Sequence, residues 1–112
     1  MRLHVYQMYP IDLGWGNLQT LSDFIANPVV YSPHEGAELG KIFEQLLKAC
    51  MDKGWGGDDS EVARVMWLPN EVQFMPVFAW KEGNNGTTYI ASPVKLEWLE
   101  MYTINSFTTG NL

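Results

Sequence analysis

The chain has 112 residues, of which 46% are hydrophobic and 18% are charged. This composition predicts one folded domain with a substantial core, and it excludes a disordered chain. The net charge of −6 reflects seven Lys and Arg residues against thirteen Asp and Glu residues. Phosphate contacts need clustered Lys and Arg, so direct binding of nucleic acid is not expected.

The sequence also favours a particular compartment. The single cysteine, Cys50, cannot form a disulfide within the chain, which suits a reducing compartment. The segment "MRLHVYQMYPIDLG" lacks the apolar run and the cleavage site of a secretory signal. No apolar run approaches the roughly 20 residues that span a bilayer. We therefore expect a soluble cytoplasmic protein that does not associate with a membrane.

The first elements are a strand and a short helix. Residues 2–11 predict a strand, and apolar residues on both of its faces indicate an inner position in a sheet. Asn17 is a candidate N-cap for a helix that Pro28 ends, because the residue before a proline is disfavoured in helical geometry. The apolar residues at helical spacing are Leu18, Leu21, Phe24 and Ile25.

A long helix near residues 33–53 is the clearest element. Ser32, Pro33 and Glu35 form a capping box with a proline at the first helical position. Gly54 predicts the end of the helix. An apolar stripe at helical spacing comprises Leu39, Ile42, Phe43, Leu46, Leu47 and Cys50.

The second half of the chain is rich in strand signals. "EVARVMWLP", "EVQFMPVFAWKE" and "TTYIAS" predict strands, and "EGNNG" predicts the hairpin turn between the last two. Pro76 requires an edge position or a bulge. The apolar residues of 93–104 fit neither period, and we expect a frayed tail at 105–112.

The order β-α-α-β-β-β predicts a single α+β domain over residues 1–112. We expect a mostly antiparallel sheet of about four strands with both helices packed on one face.

Candidate reactive groups have structural explanations. Cys50 lies on the apolar stripe of the long helix, where a thiol is desolvated and inert. His34 and His4 have no evident catalytic partner, and "GGDDSE" is too short for a calcium loop. Because no catalytic or metal-ligand pattern stands out, we expect no enzyme, no metal and no cofactor.

Two tryptophans lie between glycines, in "LGWGN" and "KGWGGDDSE". Trp15 precedes a predicted helix start and favours a plug that packs back onto the core. Trp55 allows two interpretations: a plug that closes the end of the long helix, or an exposed anchor for a partner, for which its polar surround would be suitable. The acidic rim of such an anchor comprises Asp58, Asp59 and Glu61. A second candidate surface comprises Trp98 with Glu97 and Glu100.

Three functional hypotheses follow. The first is a small acidic module that binds one partner protein stoichiometrically, as inhibitors, immunity proteins and phage anti-defence proteins do. A partner with a basic surface, including a nucleic-acid-binding enzyme, suits the charge. The alternative is a small-molecule or carbohydrate-binding domain that uses tryptophan stacking, and the third is an enzyme whose site is assembled from residues far apart in sequence. The oligomeric state stays open.

Overall fold

A computed structural model of the protein describes residues 1–9, 17–28, 33–54, 63–71, 73–82 and 87–112. Its elements, in chain order, are β1 (His4–Met8), β2 (Asn17–Gln19), α1 (Leu21–Ala26), α2 (Pro33–Asp52), β3 (Ala63–Asn70), β4 (Gln73–Lys81), β5 (Thr88–Ser92), a 3₁₀ helix η1 (Glu97–Tyr102) and β6 (Thr103–Thr108).

Within these ranges, six strands form one sheet in the order β2-β3-β4-β5-β1-β6. The strand pairs are antiparallel. The predicted α+β class and the antiparallel sheet are confirmed, and the observed order contains the predicted succession of strands and helices. The prediction of about four strands omitted β2 and β6, which form the two edges. β1 lies between β5 and β6, as its apolar residues on both faces indicated.

The first helix begins later than its sequence pattern predicted. Residues 17–19 pair with β3, and α1 begins at Leu21. The N-cap is therefore Thr20 rather than Asn17, and its hydroxyl accepts a hydrogen bond from the Asp23 N–H at 3.1 Å. The helix ends at Ala26, two residues before Pro28, as predicted.

Both helices pack on one face of the sheet. Phe24 of α1 contacts the rings of Phe43 and Trp67, at centroid distances of 5.8 and 5.9 Å. Helix α2 comes close to α1 and to the residues just after it at two glycines. A Cβ on Gly40 would lie 2.7 Å from Ile25 Cγ1, and a Cβ on Gly36 would overlap the ring of Pro28. The core on this face comprises Leu3, Val5, Phe24, Leu39, Ile42, Phe43, Cys50, Ala63, Val65, Trp67, Phe78 and Ala91.

Pro76 lies in a part of β4 that is paired with a strand on one side, among the described residues. It pairs with Trp67 of β3, and β4 contacts β5 only from Phe78 onward. This part of β4 extends past the end of β5, so the proline lies on a local edge, as the sequence required.

Residues 105–108 are paired, whereas the sequence led us to expect a frayed tail. They lie in β6 opposite His4–Gln7 of β1. Beyond the strand, the Thr109 N–H donates to the Leu3 carbonyl at 2.9 Å, and the Leu112 N–H donates to the Met1 carbonyl at 2.8 Å. Backbone pairing needs no apolar side chain, so the polar composition did not reveal the strand.

Candidate functional site

The segment that contains η1 covers the sheet face opposite the helices. Leu96 and Leu99 are completely buried there. They belong to a second core with Tyr6, Met8, Met66, Leu68, Val77, Ala79 and Ile90, and Val94 and Trp98 pack against it. Burial of these apolar side chains stabilises the segment on the sheet by roughly 1.5–3 kcal/mol for each fully buried one.

A buried hydrogen bond fixes the start of η1. The Leu96 N–H donates to the Tyr6 hydroxyl oxygen at 2.8 Å. Burial raises the pKa of Tyr6, and the bond from Leu96 partly opposes that rise. The neutral phenol therefore supplies the acceptor that this backbone N–H would otherwise lack.

Trp98, one of the predicted contact residues, is half-buried and bonded to the sheet. Its indole N–H donates to the Pro69 carbonyl at 2.7 Å, at the end of β3. The ring packs against the core under η1. The structure thus places Trp98 as a link between η1 and β3, with only part of the ring facing solvent.

Glu97 and Glu100, the two acids predicted beside Trp98, lie on the same side of η1. Side chains three residues apart in a 3₁₀ helix are nearly eclipsed, and both carboxylates are exposed. Lys95 Nζ lies 3.4 Å from Glu100 Oε1, with both side chains about half-exposed. A solvent-exposed pair of this kind contributes little to stability, but it partly offsets the charge of Glu100.

Two exposed apolar side chains follow these acids in the sequence. Met101 is 79% exposed and Tyr102 is 48% exposed, both in the last turn of η1. We call Glu97, Glu100, Met101 and Tyr102 the η1 surface. Charge alone pointed to the two acids in the sequence, whereas the two apolar residues could not be recognised because the mixed spacing of 93–104 did not show which positions face the sheet.

The other predicted contact residues, Trp55, Asp58, Asp59 and Glu61, lie outside the described residues, as does Trp15. The structure describes what precedes them. Helix α2 ends at Asp52, and Gly54 follows with φ +79°, a left-handed conformation that favours glycine. The predicted role of Gly54 is thus confirmed, and the Trp55 hypothesis stays a prediction.

Cys50 is buried as predicted, with 5% of its surface exposed. Burial raises the pKa of its thiol, and nearby Lys53 only partly opposes this effect. A protonated, buried thiol is a poor nucleophile. In the described part of the chain, no three His, Cys, Asp or Glu side chains are grouped so that they could hold a metal ion.

The remaining described tryptophans belong to the helix-side face. Trp67 is buried and donates from its indole nitrogen to Gln19 Oε1 at 2.7 Å. Trp80 is half-buried and stacks on Tyr89 with ring centroids 5.2 Å apart and an interplanar angle of 11°. Its indole nitrogen is buried and has no hydrogen-bond partner in the described part of the chain. The Trp67 ring is thus buried, and Tyr89 covers one face of the Trp80 ring.

Comparisons with known proteins give no relative from which a function could be transferred. No family model matches the sequence, and neither a curated protein nor a solved structure matches the chain. Among the described helices, none is both long and apolar enough to cross a membrane. The case for a function therefore depends on the surface of the chain itself.

Proposed function

We propose that this protein is a binding module that acts stoichiometrically on another protein and contacts it through the η1 surface. The observation that carries the proposal is that Met101, Tyr102, Glu97 and Glu100 are all exposed within one short 3₁₀ helix. An apolar centre with a charged border is the usual anatomy of a protein-binding surface.

The apolar residues of this surface supply affinity. Met and Tyr are enriched at protein interfaces, and Met101 exposes most of its side chain. Covering an exposed side chain of this size contributes roughly 1.5–3 kcal/mol. The turn that carries Met101 and Tyr102 is held by the bonds of Leu96 to Tyr6 and of Trp98 to Pro69. Little backbone freedom is therefore lost when a partner binds.

The charge supports a basic partner. The chain has a net charge of −6, and the η1 surface contributes two carboxylates. Such charges act mainly on the rate of association with a surface of opposite sign. Proteins that bind nucleic acid carry basic surfaces of this kind, so an inhibitor, an immunity protein or an anti-defence protein directed at such an enzyme in the cytoplasm is the role we favour.

The carbohydrate-binding alternative receives less support. Stacking needs an accessible aromatic face, and the three tryptophans that the structure describes are buried or half-buried. Two of them use the indole N–H within the protein, with Gln19 and with the Pro69 carbonyl. Trp55 is the residue on which that alternative now depends.

The proposal is tested by quantitative affinity capture with matched variants. Met101→Asp places a charge at the most exposed apolar residue of the η1 surface, and Met51→Asp makes the same change on α2, where Met51 is 50% exposed. We expect the native chain and Met51→Asp to enrich the same protein and Met101→Asp to lose it at least tenfold, because a hot-spot residue contributes about 2 kcal/mol or more.

Two outcomes contradict the proposal. Equal capture of that protein by Met101→Asp moves the contact away from η1. A small molecule or glycan that binds the purified chain and competes with the captured protein favours the stacking alternative. Circular dichroism of the three proteins controls for folding, since exposed sites change stability by only about 0.5 kcal/mol.

A further inference from the structure

Among the described strands, β6 has a neighbour on only one of its two edges. It pairs with β1 on one side and is the last strand in the sheet order. A register shift at Gln7 and Met8 places a bulge near the start of β6, and residues 105–108 then pair regularly with 7 down to 4. The regular part of the edge is therefore available to a further strand within the described structure.

One hydrogen bond shows which backbone N–H and C=O groups of β6 face away from β1. The Thr109 N–H donates to Leu3, so Thr109 faces β1. In an antiparallel ladder every second residue faces the same neighbour, so Phe107 also faces β1 while Ser106 and Thr108 face outward. The Ser106 N–H bonds to the exposed Asn105 side chain at 3.0 Å, a local bond that an incoming strand can replace.

The side chains of this edge are exposed and uncharged. Phe107 is 53% exposed, and the other residues of 104–108 are also exposed. Residues 101–112 contain no Lys, Arg, His, Asp or Glu, although the whole chain has a net charge of −6. The Lys, Pro or inward-pointing charge with which an edge strand commonly avoids pairing is missing from 104–112.

We propose that β6 pairs with β6 of a second copy of this chain across a twofold axis perpendicular to the sheet. The outward N–H and C=O groups can pair in a register that places Phe107 of one copy directly opposite Phe107 of the other. This pair is then at a non-hydrogen-bonded position. Ser106 and Thr108 of each copy then exchange backbone hydrogen bonds with Thr108 and Ser106 of the other. Aromatic residues directly opposite each other at such positions stabilise paired strands.

The uncharged composition of β6 suits a second copy as the occupant. Near a twofold axis each residue faces itself, so a charged strand would place like charges together, and this strand has none. A basic segment of another protein would find no acidic side chain on β6 to attract it. The proposed pairing uses residues other than the η1 surface. It also leaves both copies of η1 on the same side of a continuous sheet. A twofold axis perpendicular to the sheet rotates one copy within the plane of the sheet and does not turn it over.

Sedimentation equilibrium of the full chain, from about 1 μM to about 1 mM, tests the pairing. The expected result is a mass that rises from one copy toward two. Thr108→Pro and Ser106→Pro each remove one outward N–H. Because the substitution is present in both copies, two intermolecular hydrogen bonds are lost, and each variant should weaken dimerisation at least about tenfold. Ser106→Ala retains the N–H and is the matched control, expected to dimerise within about threefold of the native chain.

Disulfide trapping tests the register without a proline. In a Cys50→Ala background, Phe107→Cys should form an intermolecular disulfide on mild oxidation, because facing Cα atoms at such a position lie within disulfide reach. Phe74→Cys, on a half-exposed residue of β4, should stay reduced. A native chain that sediments as a monomer at every concentration overturns the proposal. A dimer that neither proline weakens and Phe107→Cys does not trap overturns it as well.

Discussion

Trp98 is the residue at which a structural role and a binding role are most clearly separated. Its indole N–H donates to the Pro69 carbonyl at 2.7 Å, and its ring packs on the core under η1. Trp98→Phe removes the donor and retains most of the packing. Trp98→Ala removes both, so the two substitutions divide the contribution of the side chain into a hydrogen bond and a packed ring.

The expected costs follow from these contacts. Loss of the hydrogen bond in Trp98→Phe should lower the free energy of unfolding by about 1 kcal/mol. A fully buried Trp→Ala change costs about 3–5 kcal/mol, and because Trp98 is partly exposed we expect about 2–3 kcal/mol. At about 4 °C or more per kcal/mol for a chain of this size, Trp98→Ala should lower Tm by about 8 °C or more.

Urea denaturation followed by far-UV circular dichroism measures these changes without relying on tryptophan fluorescence. Met101→Ala, at a 79% exposed position on the same helix, is the control and should stay within about 0.5 kcal/mol of the native chain. If Trp98→Ala unfolds at the same urea concentration as the native chain, Trp98 does not link η1 to the sheet, and its role as an exposed anchor regains support.

Three further outcomes are expected. Tyr6→Phe leaves the buried Leu96 N–H without its acceptor, so urea denaturation should show a loss of about 1–3 kcal/mol, and an unchanged midpoint would contradict the 2.8 Å bond. Cys50 should react slowly with a thiol reagent in the folded protein and rapidly in denaturant, and equal rates would show that this part of α2 does not face the core. The pKa values of Tyr6 and Cys50 are raised above their usual 10.0 and 9.0, so the folded protein holds more protons than the unfolded chain at alkaline pH. The free energy of unfolding should therefore fall as the pH rises above about 9, and a Tyr6→Phe, Cys50→Ala double variant that shows the same slope would contradict this assignment.

The parts of the fold that burial patterns determine could be predicted from the sequence. The stripe of α2 places Leu39, Phe43 and Cys50 in the core, where the structure has them. Pro28 and Gly54 act through local backbone restrictions that need no tertiary information. The predicted end of α1 and the predicted end of α2 were therefore reliable.

The edges of the sheet could not be predicted in this way. Edge strands are fixed by backbone pairing with residues far along the chain, such as Thr108 with His4. Their side chains need not alternate between apolar and polar when both faces are exposed, as in β6. For the same reason Asn17 was predicted to be a helix cap. Its pairing with Trp67 joins residues far apart in the sequence, and no local pattern shows it.

The candidate site was predictable only in part because of the geometry of η1. A 3₁₀ helix has three residues per turn, so Leu96 and Leu99 face the sheet while Glu97 and Glu100 share another side. Spacing of three fits neither the period of 3.6 nor the period of 2 that sequence patterns are tested against. The acids could be recognised from charge, whereas the exposure of Met101 depended on the fold.

The η1 surface is tested most directly by the association rate of the captured partner with a Glu97→Lys, Glu100→Lys double variant, measured at low and at physiological salt. Exposed charges at the border of an interface act mainly on association, so the variant should associate more slowly than the native chain at low salt and show a weaker dependence on salt. Association of the variant at the native rate in low salt would contradict the proposal that these carboxylates guide a basic partner to η1.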